Sequence, residues 1–263
     1  MSAAAATDVV LRTQALCKQF GGITATDHVS FSLAAGARHA LIGPNGAGKT
    51  TLVNLLTGVL APSSGRIELH GSDITRLAPH ERVRRGLVRT FQINQLFASM
   101  TPREALALAA SEQLGLGWNA LARLGRQPQV CAGTSALLAD MRLGDVADTR
   151  TEQLPYGKRR LLEIALALAR RPRVLLLDEP VAGVPGAERR EILDTLARLP
   201  ADMAIVLIEH DMDVVFGFAR SIGVLVNGGL LTEGEPAAIA ADPRVKSVYL
   251  GQAPLAAAAG AAA

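Results

Sequence analysis

Apolar and polar residues alternate from Val9 to Gln14 and again from Val29 to Leu33, the two-residue period of strands in an antiparallel sheet. Between them, Cys17-Lys18-Gln19-Phe20-Gly21-Gly22 predicts a turn that carries an exposed aromatic. Ala37 to Ile42 predicts a short buried strand, and Thr51 to Thr57 a helix stopped by Gly58. Pro62 to Gly65 reads as a turn, Arg66 to Leu69 as a strand and Leu87 to Phe91 as another strand. The character then changes. From Thr101 to Arg150 the chain is rich in Ala and Leu at helical spacing, with loop breaks at Gly115, Gly117, Gly125 and Pro128, which predicts an inserted all-helical lobe. Tyr156 to Ala169 predicts a helix ended by Arg171-Pro172. Val174 to Leu177 and Ala204 to Ile208 are continuous apolar runs, the pattern of strands buried on both faces, and Glu188 to Leu199 is an amphipathic helix between them. Strands alternating with helices predict an α/β fold with a mostly parallel sheet, accompanied by an antiparallel β subdomain. No internal repeat is visible.

Composition narrows the class. A chain of 263 residues has ample length for a core, and with aromatics at 3% the packing falls to Leu, Ala, Val and Ile. The net charge of +3 is mildly basic. Arg82, Arg84 and Arg85 read as a solvated helix face, so the charge gives no argument for nucleic acid. Cys17 and Cys131 make no disulfide framework, which suits a reducing compartment. No apolar run of about 18 residues exists to span a membrane. Met1 to Asp8 lacks the basic and apolar regions of a secretion signal. The Ala-rich ends read as frayed.

Gly43-Pro44-Asn45-Gly46-Ala47-Gly48-Lys49-Thr50-Thr51 fits G-x-x-x-x-G-K-[ST]. Glycines let successive backbone N–H groups turn inward on phosphate oxygens. Lys49 would reach the β- and γ-phosphates, and the Thr50 hydroxyl would ligate Mg²⁺. The loop stands between the strand at Ala37 to Ile42 and the helix at Thr51 to Thr57, so a helix dipole faces the anion. A second constellation is Leu175-Leu176-Leu177-Asp178-Glu179-Pro180, a hydrophobic strand ending in two carboxylates. Strand C-terminal ends face the ligand crevice of a parallel sheet. There Asp178 would hold Mg²⁺ and Glu179 would polarise an attacking water. His210 follows the strand Ala204 to Ile208 and could donate to a γ-phosphate, although a lone His in such a place is more often structural. Gln92 stands where the α/β core gives way to the helical lobe, and its amide could touch Mg²⁺ or the water. Phe20 could stack on an adenine face, against the alternative of a partly buried turn aromatic.

These residues together resemble the ATP-binding subunit of an ABC transporter, a P-loop NTPase. The likeness runs in family order from Phe20, the adenine-stacking aromatic, to the C-terminal Tyr249-Leu250-Gly251. It implies that ATP binds to the phosphate loop through Asn45, Gly46, Ala47, Gly48, Lys49, Thr50 and Thr51. It implies that Thr50, Gln92 and Asp178 hold Mg²⁺, and that Glu179, His210 and Gln92 serve hydrolysis. Leu154-Pro155-Tyr156-Gly157-Lys158 occupies the signature position, so Tyr156, Gly157 and Lys158 would meet ATP bound on a second ATP-binding subunit. The chain is most similar to the ATPases of branched-chain amino acid uptake. They share Gly-Gly after the stacking aromatic, an aromatic in the signature, Leu162-Glu163-Ile164-Ala165 and Asp242-Pro243-Arg244-Val245. Two positions depart from the family. Pro155 replaces the signature serine and has neither hydroxyl nor N–H, leaving the Gly157 N–H, the helix dipole and Lys158 for the trans contact. Val184-Pro185-Gly186 replaces the Leu-Asp-Pro that usually continues the D-loop at Val181 to Pro185.

The resemblance implies one ATP-binding domain over 8–251. Its α/β core would comprise 8–92 and 171–251, its helical lobe 93–170, and its disordered ends 1–7 and 252–263. It implies an ATPase on the cytoplasmic face of the inner (plasma) membrane, bound peripherally. That ATPase would power an importer of branched-chain amino acids or related small polar solutes through transmembrane permease subunits, with a solute-binding protein as an indirect partner. Ile93 to Met100 would line the docking groove. Two other readings compete: a soluble ATPase of the same type uncoupled from transport, and a module that senses ATP without hydrolysing it.

Overall fold

A computed structural model describes residues 8–90, 96–115 and 127–250. Gln92, Phe91, Ile93, Gly117, Gly125, Gly251 and both chain ends lie outside the described residues.

The chain opens with β1 (Val9–Phe20) and β2 (Ile23–Ala34), an antiparallel hairpin joined only by Gly21-Gly22. The turn expected from Cys17 to Gly22 is therefore shorter, because β1 continues through Phe20. Ala15 takes a left-handed φ of 44°, and the pairing shifts register between Thr13 and Leu16. A bulge of this kind breaks the two-residue alternation that marks a strand in the sequence. Next come β3 (Arg38–Ile42), α1 (Lys49–Thr57), β4 (Ser64–Leu69) and β5 (Ser72–Asp73). Gly58 ends α1 at φ 78°, a conformation open to glycine. A short helix, α2 (Pro79–Arg84), leads to β6 (Leu87–Arg89).

Helices α3 (Pro102–Gln113) and α4 (Pro128–Asp140) follow. Pro128 begins α4 instead of breaking a helix, since the first helical residue needs no N–H. Thr101 caps α3 by accepting from the Glu104 N–H while Glu104 returns to the Thr101 N–H. After two 3₁₀ turns, α5 (Tyr156–Leu168) and β7 (Val174–Asp178) bring the chain back to the sheet. The remaining elements are α6 (Gly186–Ala197), β8 (Ala204–Ile208), α7 (Met212–Phe218), β9 (Ser221–Val226), β10 (Gly229–Gly234), α8 (Pro236–Ala241) and α9 (Pro243–Leu250).

Two sheets result. One is antiparallel, ordered β2-β1-β4-β5; the other is ordered β10-β9-β3-β8-β7-β6, and only its β10–β9 edge is antiparallel. Apolar residues fill both faces of the second sheet. In β7, Leu175 and Leu177 pack toward the helices α3 to α7, whereas Val174 and Leu176 pack toward α1 and the first sheet. β8 divides the same way, with Ile205 and Leu207 on one side and Val206 and Ile208 on the other. That double burial is why these segments read as unbroken hydrophobic runs. Each buried Leu or Ile stabilises by roughly 1.5–3 kcal/mol relative to exposure. Because β3, β7 and β8 are parallel neighbours, the residues that follow all three emerge at one edge.

Candidate active site

Gly43 follows β3 at that edge. A Cβ on Gly43 would stand 2.3 Å from the Leu225 carbonyl oxygen, and one on Gly48 would stand 2.4 Å from that of Ala25. Glycine is thus required at both ends of the loop by close backbone approach to β9 and β2. Gly46, at φ 80°, has open space around its missing Cβ and serves the turn alone. Asn45 and Gly46 are exposed, while Ala47 is buried and accepts from the Gly228 N–H at 3.0 Å. Thr50 and Thr51 lie in the first turn of α1, Thr50 exposed. Lys49 Nζ donates to the Gly43 and Pro44 carbonyls at 2.6 and 3.1 Å. Burial lowers its pKa, opposed by the charges of Glu179 and Asp178. Both carboxylates therefore stand within electrostatic reach of the loop lysine.

Asp178 ends β7 and is 5% exposed. Its Oδ2 accepts from Arg89 Nη2 at 2.6 Å, and Arg89 Nη1 donates to Asn54 Oδ1 at 2.7 Å. Glu179 has a left-handed φ of 47°. Its N–H donates to Ile208 at 2.9 Å, and its carbonyl accepts from Arg160 Nη2 at 3.0 Å and from the Ala182 N–H at 3.2 Å. The main chain is thus held by three hydrogen bonds, and the side chain is 26% exposed. His210 Nδ1 lies 3.6 Å from Glu179 Oε1, with the ring 67% exposed. Glu209, between β8 and His210, is buried. Burial pushes its carboxyl pKa up, and the His210 N–H donates to Oε2 at 3.2 Å.

The signature segment differs from its expected availability. Pro155 precedes α5 at φ −53° and leads into the helix. The Gly157 N–H donates to Glu188 Oε2 of the same chain at 2.6 Å. Lys158 Nζ donates to the Arg142 carbonyl at 2.6 Å and pairs with Glu191 and Asp145 at 3.2 and 3.3 Å. Both groups expected to meet a second subunit's ATP are engaged within the chain. Tyr156 is exposed, and its hydroxyl donates to the Ala182 carbonyl at 3.3 Å, against the segment that follows Glu179. Phe20, 47% exposed, ends β1 with Lys18 Nζ 5.1 Å from its ring centroid. Its hairpin partner β2 carries Ala25, the residue pressed against Gly48, so the aromatic belongs to the hairpin that flanks the loop.

Sequence reasoning missed Arg89, Arg160, Glu188 and Glu209. Arg89 lies in the predicted strand Leu87 to Phe91, and a basic residue on a buried strand was a signal that it needed a carboxylate. Between α2, α3 and α5 lies a groove of about 420 Å³ lined by Val83, Leu96, Phe97, Leu108, Glu163 and Leu166 among others. Among the described residues no helix is long and apolar enough to cross a membrane.

The family description "ABC transporter" matches residues 26–182. The chain is 37% identical over 253 residues to the high-affinity branched-chain amino acid transport ATP-binding protein BraF of Pseudomonas aeruginosa, covering 93% of this chain and 98% of that protein. It is 37% identical over 251 residues to LivG of Escherichia coli strain K12, with the same coverage of each. Among solved structures, a nucleotide-free ATP-binding cassette from an ABC transporter superposes with a TM-score of 0.81 at 30% identity, covering 93% of this chain and 100% of that one. A cassette in its ADP conformation gives a TM-score of 0.79 at 32% identity, covering 93% and 99%.

Proposed function

The chain belongs to the ABC transporter family as an ATP-binding subunit, and from that premise we propose that it hydrolyses ATP to drive import of branched-chain amino acids or related small polar solutes. The observation that carries the site assignment is the convergence of Lys49, Asp178, Glu179 and His210 on one edge of the parallel sheet. ATP lies with its phosphates in the loop Gly43 to Thr51, wrapped by backbone N–H groups and faced by the start of α1. Lys49 leaves the Gly43 and Pro44 carbonyls for the β- and γ-phosphates. Phe20 stacks on the adenine. The Glu179 carboxylate orients a water in line with the γ-phosphorus and accepts its proton. His210, beside Glu179, donates a hydrogen bond to the γ-phosphate. The products are ADP and inorganic phosphate.

Thr50 and Asp178 offer a hydroxyl and a carboxylate at the same crevice, the hard oxygen donors that suit Mg²⁺. With the Gln92 amide they would hold the ion, which when bound neutralises charge on the β- and γ-phosphates. Arg89 Nη2, 2.6 Å from Oδ2, pairs with the buried Asp178 and holds its side chain in place.

The chain is a subunit of a membrane transporter, and the groove lined by Leu96, Phe97 and Leu166 is the proposed docking surface for a permease on the cytoplasmic face. A second ATP-binding subunit, identical or homologous, presents its signature across the phosphates. A solute-binding protein acts on the far side of the membrane.

The test is co-expression with candidate permease subunits from the same genome, followed by reconstitution in liposomes. Phosphate release and uptake of radiolabelled leucine are measured together. Coupled turnover that Lys49→Ala abolishes supports the reading. ATP hydrolysis with no permease in the purified complex would favour a soluble ATPase instead.

A further inference from the structure

The docking groove contains a buried carboxylate whose pairing is incomplete. Glu163 projects from α5, and its side chain is 9% exposed. Oε2 accepts from Arg160 Nη1 at 2.6 Å, whereas Oε1 has no hydrogen-bond partner among the described residues. The rest of the lining near it is apolar, with Leu162, Leu166 and Ala167 on the same helix. Burial pushes the Glu163 carboxyl pKa up in spite of the adjacent guanidinium. A desolvated carboxylate with one oxygen unsatisfied is costly, and a cationic donor placed against it relieves the cost. The groove's cations among the described lining residues are otherwise engaged: Arg89 pairs with Asp178 and Arg170 with Glu112.

Arg160 extends this contact toward the hydrolytic site. It is 3% exposed, and its guanidinium bonds to both Glu163 and Glu179. Nη1 goes to Glu163, and Nη2 goes to the main-chain carbonyl of Glu179. Glu179 has a left-handed backbone, so the orientation of its carbonyl is fixed by these bonds and not by intrinsic preference. Groove, Glu163, Arg160 and Glu179 form one continuous set of contacts.

We propose that the permease segment seated in this groove carries a basic side chain that pairs with Glu163, and that Glu163 and Arg160 are positioning residues relaying its arrival to Glu179. This rests on the docking reading given above. A cation on Oε1 fixes the Glu163 carboxylate and, through Oε2, the guanidinium of Arg160. Arg160 so held stiffens the Glu179 backbone that aims the base. With the cation withdrawn, Glu163 and Arg160 are held less firmly and the hold on Glu179 loosens. The relay couples the membrane subunit to the chemistry through two side chains of one helix, without contact between permease and nucleotide.

The experiment compares wild type, Glu163→Gln, Glu163→Asp and Arg160→Lys. Each is assayed for ATPase alone and with the candidate permease subunits in nanodiscs. Glu163→Gln keeps the shape and one acceptor oxygen but removes the charge. It should lower permease-stimulated kcat about tenfold, as expected when one partner of a buried charge pair is lost, with KM for ATP within about twofold. Glu163→Asp should recover part of the stimulation, and Arg160→Lys, which cannot fork between two acceptors, should lose it. Replacing each basic residue of the permease's cytoplasmic loops by Ala should reproduce the Glu163→Gln defect at one position, and the double variant should add nothing to it. Far-UV circular dichroism and melting temperature establish that each variant is folded. Stimulated kcat unchanged in folded Glu163→Gln overturns the relay while leaving the docking reading intact. Wild type that neither binds nor responds to the permease overturns both.

Discussion

The two inner glycines of the phosphate loop separate fold from function in a way that can be measured. Gly48 has φ 97°, and an alanine Cβ there would stand 2.4 Å from the Ala25 carbonyl oxygen and 3.3 Å from the Gly228 Cα. Neither neighbour can yield easily, because Asp27 N–H bonds to the Gly228 carbonyl at 2.8 Å and ties β2 to the loop after β9. Gly48→Ala therefore combines left-handed strain of about 1–2 kcal/mol with overpacking of about 1–3 kcal/mol. The sum is roughly 2–5 kcal/mol. At about 2–4 °C per kcal/mol for a domain this large, the melting temperature should fall by about 4–20 °C. Gly46→Ala meets open space and carries strain alone, so its melting temperature should fall by only about 2–8 °C. Gly46 belongs, however, to the loop proposed to wrap the phosphates, and ATP affinity should drop at least as much as for Gly48→Ala. Thermal melts followed by circular dichroism, paired with titration of a fluorescent ATP analogue, give both quantities. Equal melting temperatures for the two variants would refute the claim that the loop is wedged between β2 and β9.

Glu179→Gln should retain ATP binding and hydrolyse at least about 10²-fold more slowly, and it should associate into a dimer with ATP in sedimentation; near-native turnover would remove the general-base role. Arg89→Met leaves Asp178 buried without its partner and should destabilise by about 3 kcal/mol or more, a loss that Arg89→Met with Asp178→Asn partly restores in urea titrations. His39 is buried against Ser221, and burial holds its pKa down to about 4 from an ordinary 6.5. The unfolded chain takes up this proton first, so the contribution is complete above pH 6.5 and is lost as pH falls toward 4, by about 3 kcal/mol at the limit. Glu233, 3.8 Å away with its own pKa raised by burial, opposes part of that loss. Stability measured between pH 7.5 and 5 should decline less steeply in a folded His39→Gln variant.

The parts of the site legible in the sequence are those whose chemistry is local. The phosphate loop sits within nine consecutive residues, and Asp178-Glu179 ends an apolar run that only a doubly buried strand explains. The parts that were not legible depend on partners distant in the chain. Arg89 meets Asp178 across 89 positions, Gly157 meets Glu188 across 31 and Arg160 meets the Glu179 carbonyl across 19. No period or motif encodes such pairs. The signature's contacts within the chain were hidden for the same reason, since Gly157 and Lys158 look free until α6 brings up Glu188 and Glu191. The bulge at Ala15 concealed the length of β1. Beyond His210, Ser221–Val226 is a strand interrupted by Gly223, and short helices such as Pro236–Ala241 offer too few turns to show periodicity.

Glu179 occupies a backbone conformation that ordinary side chains resist. Asn accepts left-handed φ more readily than Glu, so Glu179→Asn relieves strain on the order of 1 kcal/mol while removing the base. Robustness and turnover therefore pull in opposite directions at this one residue. A library of this chain sorted only for heat resistance would drift toward Asn at that position and lose its motor. If Glu179 is the base proposed above, only selection for turnover would keep the glutamate in such a library.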